Sequence, residues 1–418
     1  MNDRELYATL LGIGSPWKVT EVHVDMGANE VKVSVQAQEG TRFACGECGG
    51  ETSAYDTKVR RWRHLDTMQF KTILECAVPR CRCDKHGIHQ VKVPWAEERA
   101  RFTALFECLV IDLLKMATFK AVAERMGLSW DEVDGIQGRA VERGQERKRL
   151  ALPKKLAVDE TSFQRRHEYV TTVLNLDAGT VEWVADGRGQ EALGEYFGYF
   201  EKEHLDAVEV VSMDMWGPYI SATRAHIKDA DRKISFDKFH VAKHLGDAVD
   251  KVRRAENRDL LAMGDRRLVG TKHWWLYTYA HVAERMPGWA LSFELLRNTT
   301  LRVARAWAMK EAAMALWTTR SRSWARRGWN GWLAWAQRCR LGSMKKVGRM
   351  IANHLDGILN AIENGATNAM AEAINGRIQK VKSAACGFRN RERFRNAIYF
   401  HLGGLDLYPR PSGAHTIS

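Results

Sequence analysis

Two apolar runs of this chain stop on acids: "LAVDETSF" reaches Asp159 and Glu160, and "AVEVVSMDMWG" reaches Asp214. Carboxylates at neighbouring buried strand ends repel one another unless a cation lies between them. Oxygen-only donors suit Mg²⁺ or Mn²⁺, and a pair of such ions supports phosphodiester chemistry by activating an attacking hydroxyl and stabilising the leaving oxygen. A third acid is expected downstream, in "NGATNAMAEAINGRIQKVK". There Thr367 can cap a helix on which Asn368, Glu372, Asn375 and Gln379 form one polar stripe. Glu372 is the candidate and Glu363 the alternative. Asn368 and Asn375 would support the site, as would Asp237 and His240 of "DKFH", while Lys380 and Lys382 suit contact with a phosphate backbone.

A second ligand set is built on sulfur. Cys45 and Cys48 in "CGECGG" have the spacing with which a tight turn presents two thiolates to one tetrahedral zinc. "PRCRCDKHGIH" supplies the other pair, Cys83 and His86, with Cys81 the alternative because strand residues two apart point the same way. Cys76, Cys108 and Cys339 are expected to be buried small hydrophobes. Between the pairs, "KVRRWRHLD" interleaves Arg60, Arg61 and Arg63 with Trp62, a mixture suited to phosphate contact and stacking.

These groups need elements to hold them. "WKVTEVHVD" and "EVKVSVQAQ" alternate apolar and polar residues across "MGAN", which predicts a hairpin ahead of the first cysteine pair. "FKAVAERMGLSWDEVDGIQGR" predicts a helix-turn-helix, with Gly127 ending one helix and Ser129 capping the next, Glu132 standing at capping-box spacing. Its second helix would enter a major groove, although it opens with Asp131, Glu132 and Asp134, which phosphates would repel. From 155 onward "KLAVDETSF", "EYVTTVLNLD" and "TVEWVADG" predict three antiparallel strands. A helix, the strand ending at Asp214, a helix entered through Pro218 and a fifth strand, "KISFDKFHV", follow.

That order predicts a layered α/β core of ribonuclease H-like topology, in which the first and fourth strands are neighbours and bring Asp159 and Asp214 together. Helical patterns between Asp214 and Glu372 predict an all-α insertion. Within it Trp317, Trp324, Trp329, Trp332 and Trp335, with Arg320, Arg322, Arg326 and Arg327, could stack on unpaired bases or fill a core. The expected divisions are a hairpin and zinc-binding domain at 1–98, a helix-turn-helix domain at 99–150, a first part of the core at 151–245, the insertion at 246–350 and a C-terminal part of the core at 351–418.

Charge agrees with a polyanionic partner: 64 Lys and Arg against 51 Asp and Glu leave +13. The N-terminus carries acids where a signal peptide needs bases, and no run of roughly 18 apolar residues appears. A cytoplasmic protein with no membrane partner is expected, which makes metal a better reading of the clustered cysteines than disulfides.

The paired Cys45/Cys48 and Cys83/His86, the helix-turn-helix, "AVDETSF", "VVSMDMWGPYISA", "FDKFHVAKHLGDAVDKVRR" and "TNAMAEAINGRIQKVKSAACGFRN" together resemble DDE transposases of bacterial insertion sequences, of the ISL-three family. The likeness runs over nearly the whole chain in the right order, and departs in the finger, where CxxH stands in place of a common second CxxC. It implies Asp159, Asp214 and Glu372 as the acidic triad, and the zinc and helix-turn-helix regions as readers of terminal inverted repeats. The reaction implied is hydrolysis at the element's end, then attack of the freed 3′ hydroxyl on target DNA, by a homodimer that is nucleoid-associated when bound. A zinc-containing transcriptional regulator, or a ribonuclease H-like nuclease without strand transfer, are the rival readings.

Overall fold

Period-two alternation in the first hundred residues folds as a six-stranded sheet. The computed structural model describes residues 2–148, 151–164, 168–319, 321–364 and 369–410. The chain divides into two compact units, Met1–Arg149 with Glu392–Ser418, and Leu150–Arg391.

In the first unit α1 (Asp3–Leu10) precedes β1 (Trp17–Asp25), β2 (Glu30–Ala37), β3 (Arg42–Ala44), β4 (Glu51–Thr67), β5 (Phe70–Cys83) and β6 (Gly87–Gln90). The order is β1-β2-β5-β4-β3, with β6 on β5. The β1/β2 hairpin is the expected one, turning through Asn29 at φ 54°. Val33, Val35, Trp62, Leu74 and Val78 are buried on its sheet, and Trp95 meets Trp17 and Trp62 edge to face at 5.1 and 5.6 Å.

Three helices follow, α2 (Ala104–Met116), α3 (Phe119–Met126) and α4 (Trp130–Arg147). Hydroxyls cap all three: Thr103, Thr118 and Ser129 each accept a main-chain N–H. Each such cap stabilises its helix by about 1 kcal/mol. Gly127 ends α3 in the left-handed region, where a side chain would be strained, and Ser129 and Glu132 form the expected capping box.

The second unit begins with β7 (Lys155–Gln164), β8 (Glu168–Asn175) and β9 (Thr180–Asp186), joined antiparallel. Asn175 Oδ1 shapes the β8/β9 turn by accepting from the Asp177 and Ala178 N–H groups. Then come α5 (Gln190–Gly198), α6 (Lys202–Asp206), β10 (Val210–Met213), α7 (Gly217–His226), α8 (Ala230–Lys233) and β11 (Ile234–Phe236). The sheet order is β11-β10-β7-β8-β9, with β10 parallel to both β7 and β11. The first and fourth strands are therefore neighbours, as expected. β7 runs on past Asp159 to Gln164, within one residue of the expected strand, its outer half still paired with β8. One expectation is corrected. β11 stops at Phe236, because the Asp237 carboxylate accepts the Phe239 N–H and starts a helix.

That helix, α9 (Lys238–Ala262), opens a wholly helical stretch: α10 (Lys272–Leu276), α11 (Tyr279–Arg285), α12 (Pro287–Arg297), α13 (Arg302–Ala315), α14 (Arg322–Arg338), α15 (Gly342–Asn353), α16 (Leu355–Glu363) and α17 (Ala369–Ala384). Buried Glu256 of α9 caps α13 by accepting from the Arg302 and Val303 N–H groups, both at 2.7 Å. α16 packs on β11 at Gly357, where any Cβ would collide with the Phe236 ring, and Asn360 Nδ2 donates to Ile234 O at 2.7 Å. Trp329 and Trp332 are core residues, Trp317 is half-buried, and Trp324 and Trp335 are exposed. Arg320 lies outside the described residues.

The last helix, α18 (Arg391–Leu402), contains Phe394, Ile398 and Phe400, all buried. From Glu392 it belongs to the first compact unit, so the expected division at 351–418 is split. The reason is a seam along α4: Arg147 donates to Tyr408 O at 2.6 Å, Lys148 to Gly403 O at 3.1 Å, and Gly144 leaves room for Leu405. Among the described residues no helix is long and apolar enough to cross a membrane.

Candidate metal centres

The sulfur site is assembled by the turn after β3 and the β5/β6 turn. Cys45 Sγ lies 3.7 Å from His86 Nδ1, Cys48 Sγ 3.7 Å from Cys83 Sγ, and Cys83 Sγ 3.6 Å from His86 Nδ1. All four donor atoms fall within 4.8 Å of one another, the one such group among the described residues. Zinc–sulfur bonds of about 2.3 Å in a tetrahedron require ligand atoms about 3.7 Å apart, so the residues fit zinc. The main chain prepares them: N–H groups of Cys48 and Glu47 hold the Cys45 thiol down to about 6, and those of Lys85 and His86 lower Cys83. Cys48 is favoured as thiolate by the Gly50 N–H but raised overall by the sulfurs of Cys45 and Cys83, and His86 is raised by Cys83 and Cys45. Cys81 is in the hydrophobic core and outside this set, and Cys76 is buried, its thiol pushed up to about 12. Cys108 and Cys339 are half-buried.

The acidic site follows from strand register. Ser212 pairs with Ala157 and, on the other side, with Ser235. Two residues on, the same register carries Asp214 to the level of Asp159 and of Asp237. Asp159 Oδ1 accepts its neighbour Glu160 N–H at 2.7 Å, and Asp159 Oδ2 accepts from Asn375 Nδ2 of α17. His240 Nδ1 lies 3.3 Å from Asp214 Oδ2, and its Nε2 3.8 Å from Asp237 Oδ2. Burial raises the Asp159 carboxyl despite the Glu160 N–H, His240 and Asn375. Burial also opposes charge on Asp214, but the hydrogen bond and charge of His240, with the Met215 N–H, outweigh it and hold that carboxyl low. His240 is correspondingly raised by Asp214.

Glu372 stands in the first turn of α17, exposed, three residues before Asn375 and so about 60° round the helix. Among the described residues the three acids do not form a set as tight as the cysteine cluster. Asn375 Oδ1 is buried with no hydrogen-bond partner, an oxygen acceptor of the kind a hard divalent cation or its water would use. The donor set of carboxylates and one amide oxygen thus fits Mg²⁺ or Mn²⁺. Thr367 and Asn368 lie outside the described residues. Glu363, the alternative acid, is engaged by Arg322 at 2.9 Å.

The expected phosphate contacts divide. Arg61 is exposed beside Glu75 at 2.6 Å, Arg60 lies over Trp62 and donates to Ala100 O, and Arg63 is largely buried against Asp66 and the Phe106 ring. Lys380 is exposed, whereas Lys382 donates to Ser162 O. In the helix-turn-helix the troublesome acids are accounted for: Glu132 caps α4, and Arg393 of α18 pairs with Asp131 at 3.2 Å and Asp134 at 3.0 Å. One cation that sequence reasoning did not find is Arg188, which pairs with Glu160; nothing in "DGRGQ" distinguishes it.

Comparison with known proteins agrees with this layout. A family model described as a transposase, of the ISL3 type, matches residues 156–398, more than half of the chain. The helix-turn-helix domain of transposase family ISL3 matches 91–141, and a zinc-finger of the IS204/IS1001/IS1096/IS1165 transposases matches 41–86. The transposase for insertion sequence element IS1557 of Mycobacterium tuberculosis is 27% identical, covering 97% of this chain and 96% of its own length. That for IS1001 of Bordetella parapertussis is 25% identical over 84% and 86%.

Proposed function

The chain belongs to the ISL3 family of DDE transposases, and we propose that Asp159, Asp214 and Glu372 form the centre at which it cuts the ends of its insertion sequence and joins them to target DNA. The observation that carries this is the pairing of Asn375 with Asp159, which ties the helix of Glu372 to the strand of the first acid, with Asp214 next to it by register. The strand order supports a ribonuclease H-like core, and the helices from α9 to α16 an all-α insertion.

Asp159, Asp214 and Glu372, with Asn375 Oδ1, would hold Mg²⁺ or Mn²⁺. Bound there, divalent cations supply activation of the attacking oxygen and charge stabilisation of the leaving one. The chain's own groups set the geometry: Asn375 fixes the Asp159 carboxylate, and His240, braced by Asp237, orients Asp214 and keeps it charged. Water would be the first nucleophile and the freed 3′ hydroxyl the second, so no side chain need become covalently attached. Zn²⁺ on Cys45, Cys48, Cys83 and His86 would tie the β3/β4 turn to β5/β6 and fold the reader of the terminal repeats.

Two ends must be held together, which supports a homodimer on DNA, working in the bacterial cytoplasm. Incubating the protein with a labelled element end, a target plasmid and Mg²⁺ tests the function. Joined products are expected; cleaved ends without joining would indicate a nuclease, and binding alone a regulator.

A further inference from the structure

Arg188 follows β9 through Gly187, whose φ of 81° turns the chain sharply at the strand end. Its guanidinium carbon lies 4.4 Å from the centre of the Tyr169 ring and 4.8 Å from that of Trp216. Trp216 Nε1 donates to the main-chain carbonyl of Arg188 at 2.9 Å, so the indole is fixed to the residue it covers. Held against two rings, the guanidinium keeps five N–H donors in a planar fork. Among the described residues its one hydrogen-bond acceptor is Glu160 Oε1 at 3.4 Å, a long contact. The side chain is 38% exposed, so part of it is open to solvent.

An ion pair this long and this exposed contributes little to stability and does not account for a side chain held by two rings. A guanidinium held by two rings, with donors to spare beyond one long contact, is a preorganised fork for two oxygens of one phosphate. Its anchors place it at the acidic site: Glu160 follows Asp159, and Trp216 lies two residues beyond Asp214. Alternation along β7 directs Glu160 to the opposite face from Asp159, so Arg188 stands across the sheet edge from the acids and not among them.

We propose that Arg188, clamped by Tyr169 and Trp216, grips a backbone phosphate of the DNA strand adjacent to the scissile one. This rests on the reading of Asp159 and Asp214 as the cleavage centre. The test uses the full-length protein and a duplex carrying the element end, with affinity measured across a salt series in the Asp159→Asn background, where cleavage cannot distort binding. Arg188→Ala should make the slope of log affinity against log salt shallower by about 0.9, the loss of one phosphate contact. In the otherwise unchanged protein, single-turnover cleavage at saturating DNA should fall about 10- to 100-fold for Arg188→Ala. Arg188→Lys, which keeps the charge but not the stacked fork, should retain the slope and lose the cleavage. An unaltered slope together with an unaltered saturating rate in Arg188→Ala overturns the proposal. Full cleavage by Asp159→Asn would instead remove the acidic centre, while leaving the salt slope to report on Arg188 separately.

Discussion

The side-chain amide of Asn375 donates to the carboxylate of Asp159 across 216 positions of chain, and its own oxygen is left buried without a partner. Both halves of that amide are therefore committed to one place. Asn375→Ala should weaken Mn²⁺ binding about 10- to 100-fold, as removal of a group supporting metal ligands does elsewhere. Titration calorimetry with Mn²⁺ checks it, and end binding in a gel shift should not change.

The sulfur site separates ligand from core. Cys83→Ser should lower the zinc content from one per chain toward zero and melt the N-terminal unit, since the energy of a structural zinc site is folding energy. Cys81→Ser should leave zinc content unchanged and cost about 1–3 kcal/mol by burying a hydroxyl in an apolar core. Metal analysis and thermal melts of the two variants distinguish these roles.

The N-terminal unit should lose stability in mild acid. His64 is buried with Nδ1 2.8 Å from Thr103 Oγ1; burial, then the charge of Arg63, holds its pKa down to about 4 from an ordinary 6.5. Between those values the unfolded chain takes up a proton that the folded state refuses. Stability is intact above 6.5 and falls as pH drops toward 4, by up to about 3 kcal/mol. His64→Gln should flatten the dependence in urea melts across that window.

The helix-turn-helix should require the far end of the chain. Arg143 is buried among Glu97, Glu107 and Leu407 O, and Arg147 and Lys148 bind carbonyls of Tyr408 and Gly403. A chain ending at Arg391 should lose hydrogen-exchange protection in α4 while β7 and β10 keep theirs. Gly144→Ala, which drives a methyl into Leu405, should destabilise the unit by about 1–3 kcal/mol.

What sequence could reveal here was local or periodic. The CxxC and CxxH spacings, the Gly127 and Ser129 punctuation and the alternating strands are each written within a few residues, and the order of elements was enough to place Asp214 beside Asp159. Pairings set by tertiary contact were not legible. β11 stops at Phe236 because the Asp237 carboxylate takes the Phe239 N–H and starts a helix, where "KISFDKFHV" reads as one strand. The acids opening α4 looked hostile to DNA until Arg393, more than 250 residues away, proved to neutralise two of them. Arg188 has no spacing signal at all, because its stack is built from three separate strand ends.

The most direct test is cleavage of a labelled element end by Asp159→Asn, Asp214→Asn and Glu372→Gln, each compared with the parent chain in Mg²⁺ and in a gel shift. Each substitution removes one carboxylate charge without removing bulk, so the account predicts cleavage reduced below detection in all three and end binding within about twofold of the parent, because none of them touches the helix-turn-helix, the zinc region or Arg188. Parent-level cleavage by Glu372→Gln, with the two aspartate variants inactive, would contradict the assignment of the third acid; parent-level cleavage by all three would contradict the centre itself.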